Sequence, residues 1–301
     1  VLAGVLLLGW VTAWPLGAAV PGQTSIEDLL RRVGDRLGDY YQRMASVVCT
    51  ETATVQPIGR DWTPDGMART VESELRIEAT DADGQPLPEA RVVRDIRRVN
   101  GRAPRERDLT DRTGCTDPDP LSSEPLAFLL PAHQHEYDFT GIERGRERDR
   151  DAWVLSFASK TRSGRVELVE DPRGHADCFD WTGPVAVKGR VWIDAATAEV
   201  LRVDRYNQGP VDVRVPRALQ RRYNFDTYVT LDRDEISIRY EEVAFTEPSE
   251  VLLLPRSIDE VTVIRNGLQS VRRTTRFSDY RRFLTAGRIK RTTGGAPTPS
   301  R

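Results

Sequence analysis

Between residues 71 and 79 the chain alternates Val71, Ser73, Leu75, Ile77 and Ala79 with Glu72, Glu74, Arg76 and Glu78. That two-residue period belongs to a strand with one buried face and one wet face. It returns at 91–99, 135–143, 152–158, 185–193, 199–206, 225–231, 236–245, 257–265 and 269–277. Asn100-Gly101, Asp194-Ala195-Ala196-Thr197 and Asn266-Gly267 supply tight turns between such runs. Hairpin connections leave no room for the crossover helices of a parallel sheet, so the fold expected is a large antiparallel sheet of roughly ten to eleven strands. A register slip at Glu241-Glu242 predicts a bulge.

Two helices are expected beside the sheet. The first starts at the capping-box pattern Thr24-Ser25-Ile26-Glu27. It continues through Ile26, Leu29, Leu30, Val33, Leu37, Tyr40, Tyr41 and Met44, one apolar stripe over about 20 residues. The second is short, over 121–130, and ends at Pro131. Two helices cover little of ten strands. The sheet is therefore expected to curl into a half-barrel around its own side chains, an α+β arrangement with the first helix as lid or plug. There is no internal repeat and no clear linker, so residues 20–287 read as one domain and 288–301 as a disordered tail.

The first charged residue is Glu27, and 15 of the first 20 residues are apolar. The run from Val5 to Val11, broken at Pro15 and followed by Gly17, Ala18 and Ala19, reads as a signal peptide over 1–19. An uncleaved anchor is the competing reading, although a span asks for about 20 apolar residues. Export changes the expectation for the three cysteines: Cys115 and Cys178, both in turn-rich sequence, are expected to pair, and Cys49 in its apolar run to stay a buried thiol. The mature chain is expected to be soluble, in the periplasm or outside the cell.

Charge and chemistry exclude more than they include. Lys and Arg number 44 against 46 Asp and Glu, so the cationic surplus that draws a protein to nucleic acid is missing. The sequence contains no G-x-S-x-G elbow, no H-E-x-x-H, no Walker loop and no G-x-G-x-x-G after a strand. His133 and His135 are the one weak metal candidate, since i and i+2 on a strand share a face; a solvated loop explains them as well. The run Glu143 to Asp151 alternates in sign as a solvated hairpin tip does. Trp153, Trp181 and Trp192 suit either a plain core or a ligand cavity. No cofactor is expected, and enzymatic activity is not.

The segment 187–202 has the form G-x-V-W-I-D-x-x-T-x-x-V-L-R, through Gly189, Trp192, Asp194, Thr197, Leu201 and Arg202. This hairpin resembles one in the periplasmic lipoprotein-carrier (LolA/LolB-like) and outer-membrane lipoprotein-sorting proteins. The stretches 73–77, 94–102 and 277–283 resemble uncharacterised secreted relatives. The resemblance implies an incomplete antiparallel barrel with helical cover and an apolar interior that accepts acyl chains. The expected partners are then a hydrophobic ligand or lipidated protein, with an envelope protein as a further partner. Inward strand positions Leu75, Ile77, Trp153, Leu155, Phe157, Val191 and Ile193 are the expected lining. The alternative is a docking module of the cell envelope whose core is filled by its own side chains.

Overall fold

The computed structural model describes residues 25–44, 47–80, 86–109, 126–171 and 178–282. The expected signal segment, Cys115, the first half of the expected second helix and the expected tail lie outside them.

Helix α1 (Ile26–Met44) opens with the Ser25 hydroxyl accepting the Asp28 amide at 3.0 Å, one residue later than the expected cap. Strands β1 (Val47–Ile58), β2 (Arg69–Thr80) and β3 (Pro86–Val99) follow, then the single turn α2 (Glu106–Leu109). Next come the hairpin β4 (Tyr137–Glu147) and β5 (Arg150–Ser159), the short β6 (Val166–Glu170) and β7 (Phe179–Thr182), and the hairpin β8 (Val187–Asp194) and β9 (Val200–Asn207). The rest is β10 (Val211–Arg214), α3 (Arg217–Tyr223), β11 (Tyr228–Thr246), β12 (Ser249–Arg265) and β13 (Ser270–Arg282).

One 13-stranded sheet contains all the strands, in the order β3-β2-β1-β13-β12-β11-β9-β8-β5-β4, with β10, β6 and β7 branching from β11. Among the described residues nothing joins β3 to β4, so the sheet stays open, as expected for an incomplete barrel. Register shifts at Val48/Thr50, Glu72/Ser73, Thr140/Glu143, Trp192/Ile193 and Arg239/Tyr240 add local twist and curl it. The slip expected at Glu241-Glu242 is not a bulge there: these residues pair in regular register with Leu254 and Leu253, and the nearby shift at Arg239/Tyr240 places its extra residue, Arg256, on β12.

Several expectations are corrected. The described residues hold 13 strands and three helices: β6, β7, β10, α2 and α3 are each too short to show a period, and in β1 the buried Glu51 breaks the alternation. The stretches 225–231 and 236–245 form one continuous strand, β11. Of the expected helix over 121–130, the described part is a single 3-10 turn, Ala127–Leu129, cut off by Pro131. The charged tip is mostly strand: β4 runs to Glu147, and Arg148 turns the chain at φ 57°. On an edge strand both faces can be wet, which hides the alternation. Finally, β10 pairs parallel with β6, the sheet's one departure from the antiparallel pattern among its described pairings.

Long hairpin β11–β12 ties three apolar clusters together. Leu252, Leu254 and Phe245 pack with Val47 at one end; Ile238, Tyr240, Leu253 and Ile258 join the central core; Val229 and Leu231 join a third cluster with α3 and β10. The central core contains Leu29, Leu30, Val33 and Leu37, so α1 lies on the concave face of the sheet.

Candidate functional site

Pairing register builds the concave floor. Leu155, Val191, Val203, Ile238, Ile258, Thr275, Ala53, Val71 and Val99 are successive partners from β5 across to β3. Cross-strand partners point to one face, and every member of this row is buried. The row two residues along the strands has a different character: Phe157, Gly189, Arg205, Ile236, Glu260, Arg273, Val55 and Arg69. Its ions are paired, Arg273 with Glu260 at 3.4 Å, Arg205 with Asp234 at 3.9 Å and Arg69 with Asp108 at 3.9 Å. Burial raises the Asp234 carboxyl above its ordinary pKa, with Arg205 beside it opposing the shift. The concavity thus has an apolar floor beside an ionic shelf.

Helix α1 covers the apolar part. Its Leu29, Val33 and Leu37 are fully or nearly fully buried, each removing roughly 2 kcal/mol worth of apolar surface from water. Polar tethers sit at its rim: Arg43 donates to Glu250 at 2.7 Å and Arg36 to the Thr197 carbonyl at 3.2 Å. Gln134 donates to the Leu30 carbonyl at 3.0 Å. A Cβ on Gly34 would lie 2.8 Å from Pro131, so this glycine lets the helix approach the turn after Leu130.

Between α1 and the β9 and β12 strands a cleft remains, with Leu37, Leu126, Val200, Tyr240, Leu252 and Leu253 on its walls. Its volume is about 50 Å³, against roughly 300–1,000 Å³ for a small-molecule pocket.

The expected lining residues fall into three environments. Leu75, Leu155, Phe157, Val191 and Ile193 are buried in the core that contains α1. Trp153 is half-buried at the margin of that core, with the Arg144 guanidinium 4.2 Å from its ring. Ile77 lies in β2 opposite Val92. Of the other tryptophans, Trp192 carries Arg202 at 4.5 Å on its ring and Trp181 packs on the third cluster.

The histidines are not on a strand, which corrects the premise of the metal candidate. His133 caps the 3-10 turn Gln134–Glu136 and His135 lies within it, both exposed, with His133 Nδ1 2.8 Å from Glu136 Oε1. Among the described residues no group of three or more His, Cys, Asp or Glu is placed to hold a metal ion. Cys49 is buried, and burial with Glu51 nearby pushes its thiol up to about 12. Cys178 is buried as well, and its expected partner Cys115 lies outside the described residues. Among the described residues no helix is long and apolar enough to cross a membrane.

Sequence reasoning missed Tyr240, Glu51 and the role of β1. Nothing in the local pattern marks Tyr240, whose position follows from the bulge beside it.

Three solved structures align with most of the chain. A DUF1329 family protein from Desulfovibrio piger is 12% identical with a TM-score of 0.38, the alignment covering 86% of this chain and 92% of that one. A LolA superfamily protein from Nitrosomonas europaea is 10% identical with a TM-score of 0.32, covering 85% and 94%. A domain described as an outer membrane lipoprotein-sorting protein from Vibrio parahaemolyticus is 9% identical with a TM-score of 0.30, covering 84% and 93%. No protein-family model and no curated sequence matches the chain.

Proposed function

We propose that this is an exported, non-catalytic protein of the bacterial cell envelope that binds a lipid, a lipoprotein acyl chain or another hydrophobic ligand in the concavity of its sheet. On this reading residues 20–287 act as one domain after removal of 1–19, and α1 is the lid. One observation carries it: the part of the floor from β5 to β12, Leu155, Val191, Val203, Ile238 and Ile258, shares its core with a helix and a 3-10 turn rather than with a second sheet.

Magnitudes decide whether the lid can yield. Exposing Leu29, Leu30, Val33 and Leu37 costs on the order of 8 kcal/mol. An acyl chain recovers about 0.8 kcal/mol per buried methylene, so roughly ten methylenes offset the displacement. Longer chains favour the open, loaded form. Leu75, Leu155, Phe157, Val191 and Ile193 would then exchange contact with α1 for contact with the chain, with Ile77 and Trp153 at its ends.

A second reading has its own support. At about 50 Å³ the cleft leaves the concavity filled by the protein itself, as in a docking module whose function resides in its edges and charged loops.

Native mass spectrometry of the chain purified from an envelope extract, followed by lipid extraction, separates the two. So does hydrogen exchange with saturating methyl laurate. Faster exchange in α1 with β8 and β9 unchanged supports the lid. A ligand-free protein that takes up no apolar probe overturns it and leaves the docking module.

A further inference from the structure

The third apolar cluster carries a cleft of its own. Val166 of β6, Val213 of β10 and Val229 of β11 are cross-strand partners that pack inward with Leu219 of α3. One residue along, Arg214 stands between Glu167 and Tyr228 on the outward face. There a cleft of about 730 Å³ opens, with Arg165, Asp212, Arg214, Arg217, Gln220 and Tyr228 on its walls. No residue of α1 belongs to this cluster or lines this cleft.

Its charges do not balance. Residues 213–225 contain Arg214, Arg217, Arg221 and Arg222 and no acid. Glu167 lies 3.7 Å from Arg165 and 3.9 Å from Arg214, so two guanidiniums share one carboxylate at long range. Asp212 accepts the Thr230 hydroxyl at 2.9 Å. Arg217 is exposed and has no ion pair among the described residues. Arg222 on the same helix is matched, to Glu170 at 2.7 Å. Three cations thus face two carboxylates, and they arrive from three separate parts of the chain.

A guanidinium presents five donors in a planar fork that fits phosphate oxygens. A carboxylate fills one such fork, whereas the three terminal oxygens of a phosphomonoester, with a charge near −2, engage several. Volume narrows the ligand further. The cleft lies within the roughly 300–1,000 Å³ of a small-molecule pocket and exceeds what a bare phosphate ion fills. Tyr228, half exposed on the wall, offers an aromatic ring to the organic part.

We propose that this cleft binds a phosphomonoester of sugar size, with Arg165, Arg214 and Arg217 donating to the phosphate oxygens. The site is separate from the concavity and stands under either reading of it.

Isothermal titration calorimetry of the full chain with glucose 6-phosphate, glucose and glucuronate is the test. Wild type is expected to bind the phosphate ester at least about tenfold more tightly than the other two. Arg217→Gln should weaken that binding by about tenfold. Its urea midpoint should match wild type, because the side chain has no ion pair to lose. Arg221→Gln, on the same helix but off the cleft wall, should leave binding within about twofold. Flotation with phosphatidylcholine vesicles, with and without phosphatidic acid, distinguishes the sources of the group. Capture by phosphatidic acid that Arg217→Gln removes assigns the site to a lipid headgroup; binding of glucose 6-phosphate without such capture assigns it to a soluble ester. Glucose or glucuronate binding as tightly as the ester, an equal effect of the two substitutions, or binding of neither phosphomonoester overturns the proposal.

Discussion

Arg94 of β3 reaches across β2 to Glu51 of β1, donating from Nη2 to Oε1 at 2.8 Å and from Nε to the other carboxylate oxygen. Glu51 is 1% exposed. Together they place an ion pair inside the concave face. Removing one partner leaves a buried, uncompensated charge, a loss of about 3–5 kcal/mol. Arg94→Met should therefore lower the stability measured by urea unfolding by about that amount. The double variant with Glu51→Gln should recover most of it. Equal losses in the single and double variants would show that the carboxylate is not held by Arg94.

Gly189 stands opposite Phe157, and a Cβ there would lie 2.0 Å from the Asp204 carbonyl oxygen and 2.7 Å from the Phe157 ring. The first of these is backbone and cannot swing aside. Gly189→Ala should cost at least about 1–3 kcal/mol, read as a fall in the urea midpoint. An unchanged midpoint would mean that β8 and β9 can part without penalty.

Asp194 makes the stability depend on acid. Its burial opposes the charge, but the Thr197 and Ala196 amides donate to it at 2.7 and 2.9 Å, and Arg150 at 2.8 Å. These donors hold the carboxyl below its ordinary pKa. With the folded value below the unfolded one, about 3.9, the contribution is complete above that pH and is lost as pH falls through the folded value. Asp194→Asn should lower Tm at pH 7, and the gap to wild type should narrow below about pH 4. A gap independent of pH would remove the carboxylate from the explanation.

Cysteine labelling follows from burial and the proposed pairing. The thiol of Cys49, pushed up to about 12, should not react with iodoacetamide in the native protein at pH 8. Unfolded without reductant, the chain should take one label, and with reductant three, one for each cysteine. Three labels without reductant would exclude a bond between Cys115 and Cys178.

What could be read in advance depended on how each strand meets water. Strand β2 was legible because Glu72, Glu74 and Arg76 face out between Val71, Ser73 and Leu75. Strand β1 was not, because Glu51 occupies an inward position and breaks the alternation. Its partner Arg94 lies two strands away, beyond any local pattern. Of the floor, Leu155 and Val191 were legible as inward alternating positions, whereas Ala53 lies in β1 and was not. The burial of Leu155 and Val191 under α1 was not legible either, because it depends on where the helix lies across the curled sheet.

The last described strand, β13, pairs on one side with β12 and on the other with β1, near the start of the chain. Val48 thus waits for Arg281 before the first three strands can join the rest. Contacts of such long sequence separation slow folding. Until the C-terminal strand arrives, β1 presents a bare hydrogen-bonding edge, a template for aggregation in any chain stalled before its end. Truncation before residue 270 should therefore split the sheet in two, leaving α1 without half of the surface it covers.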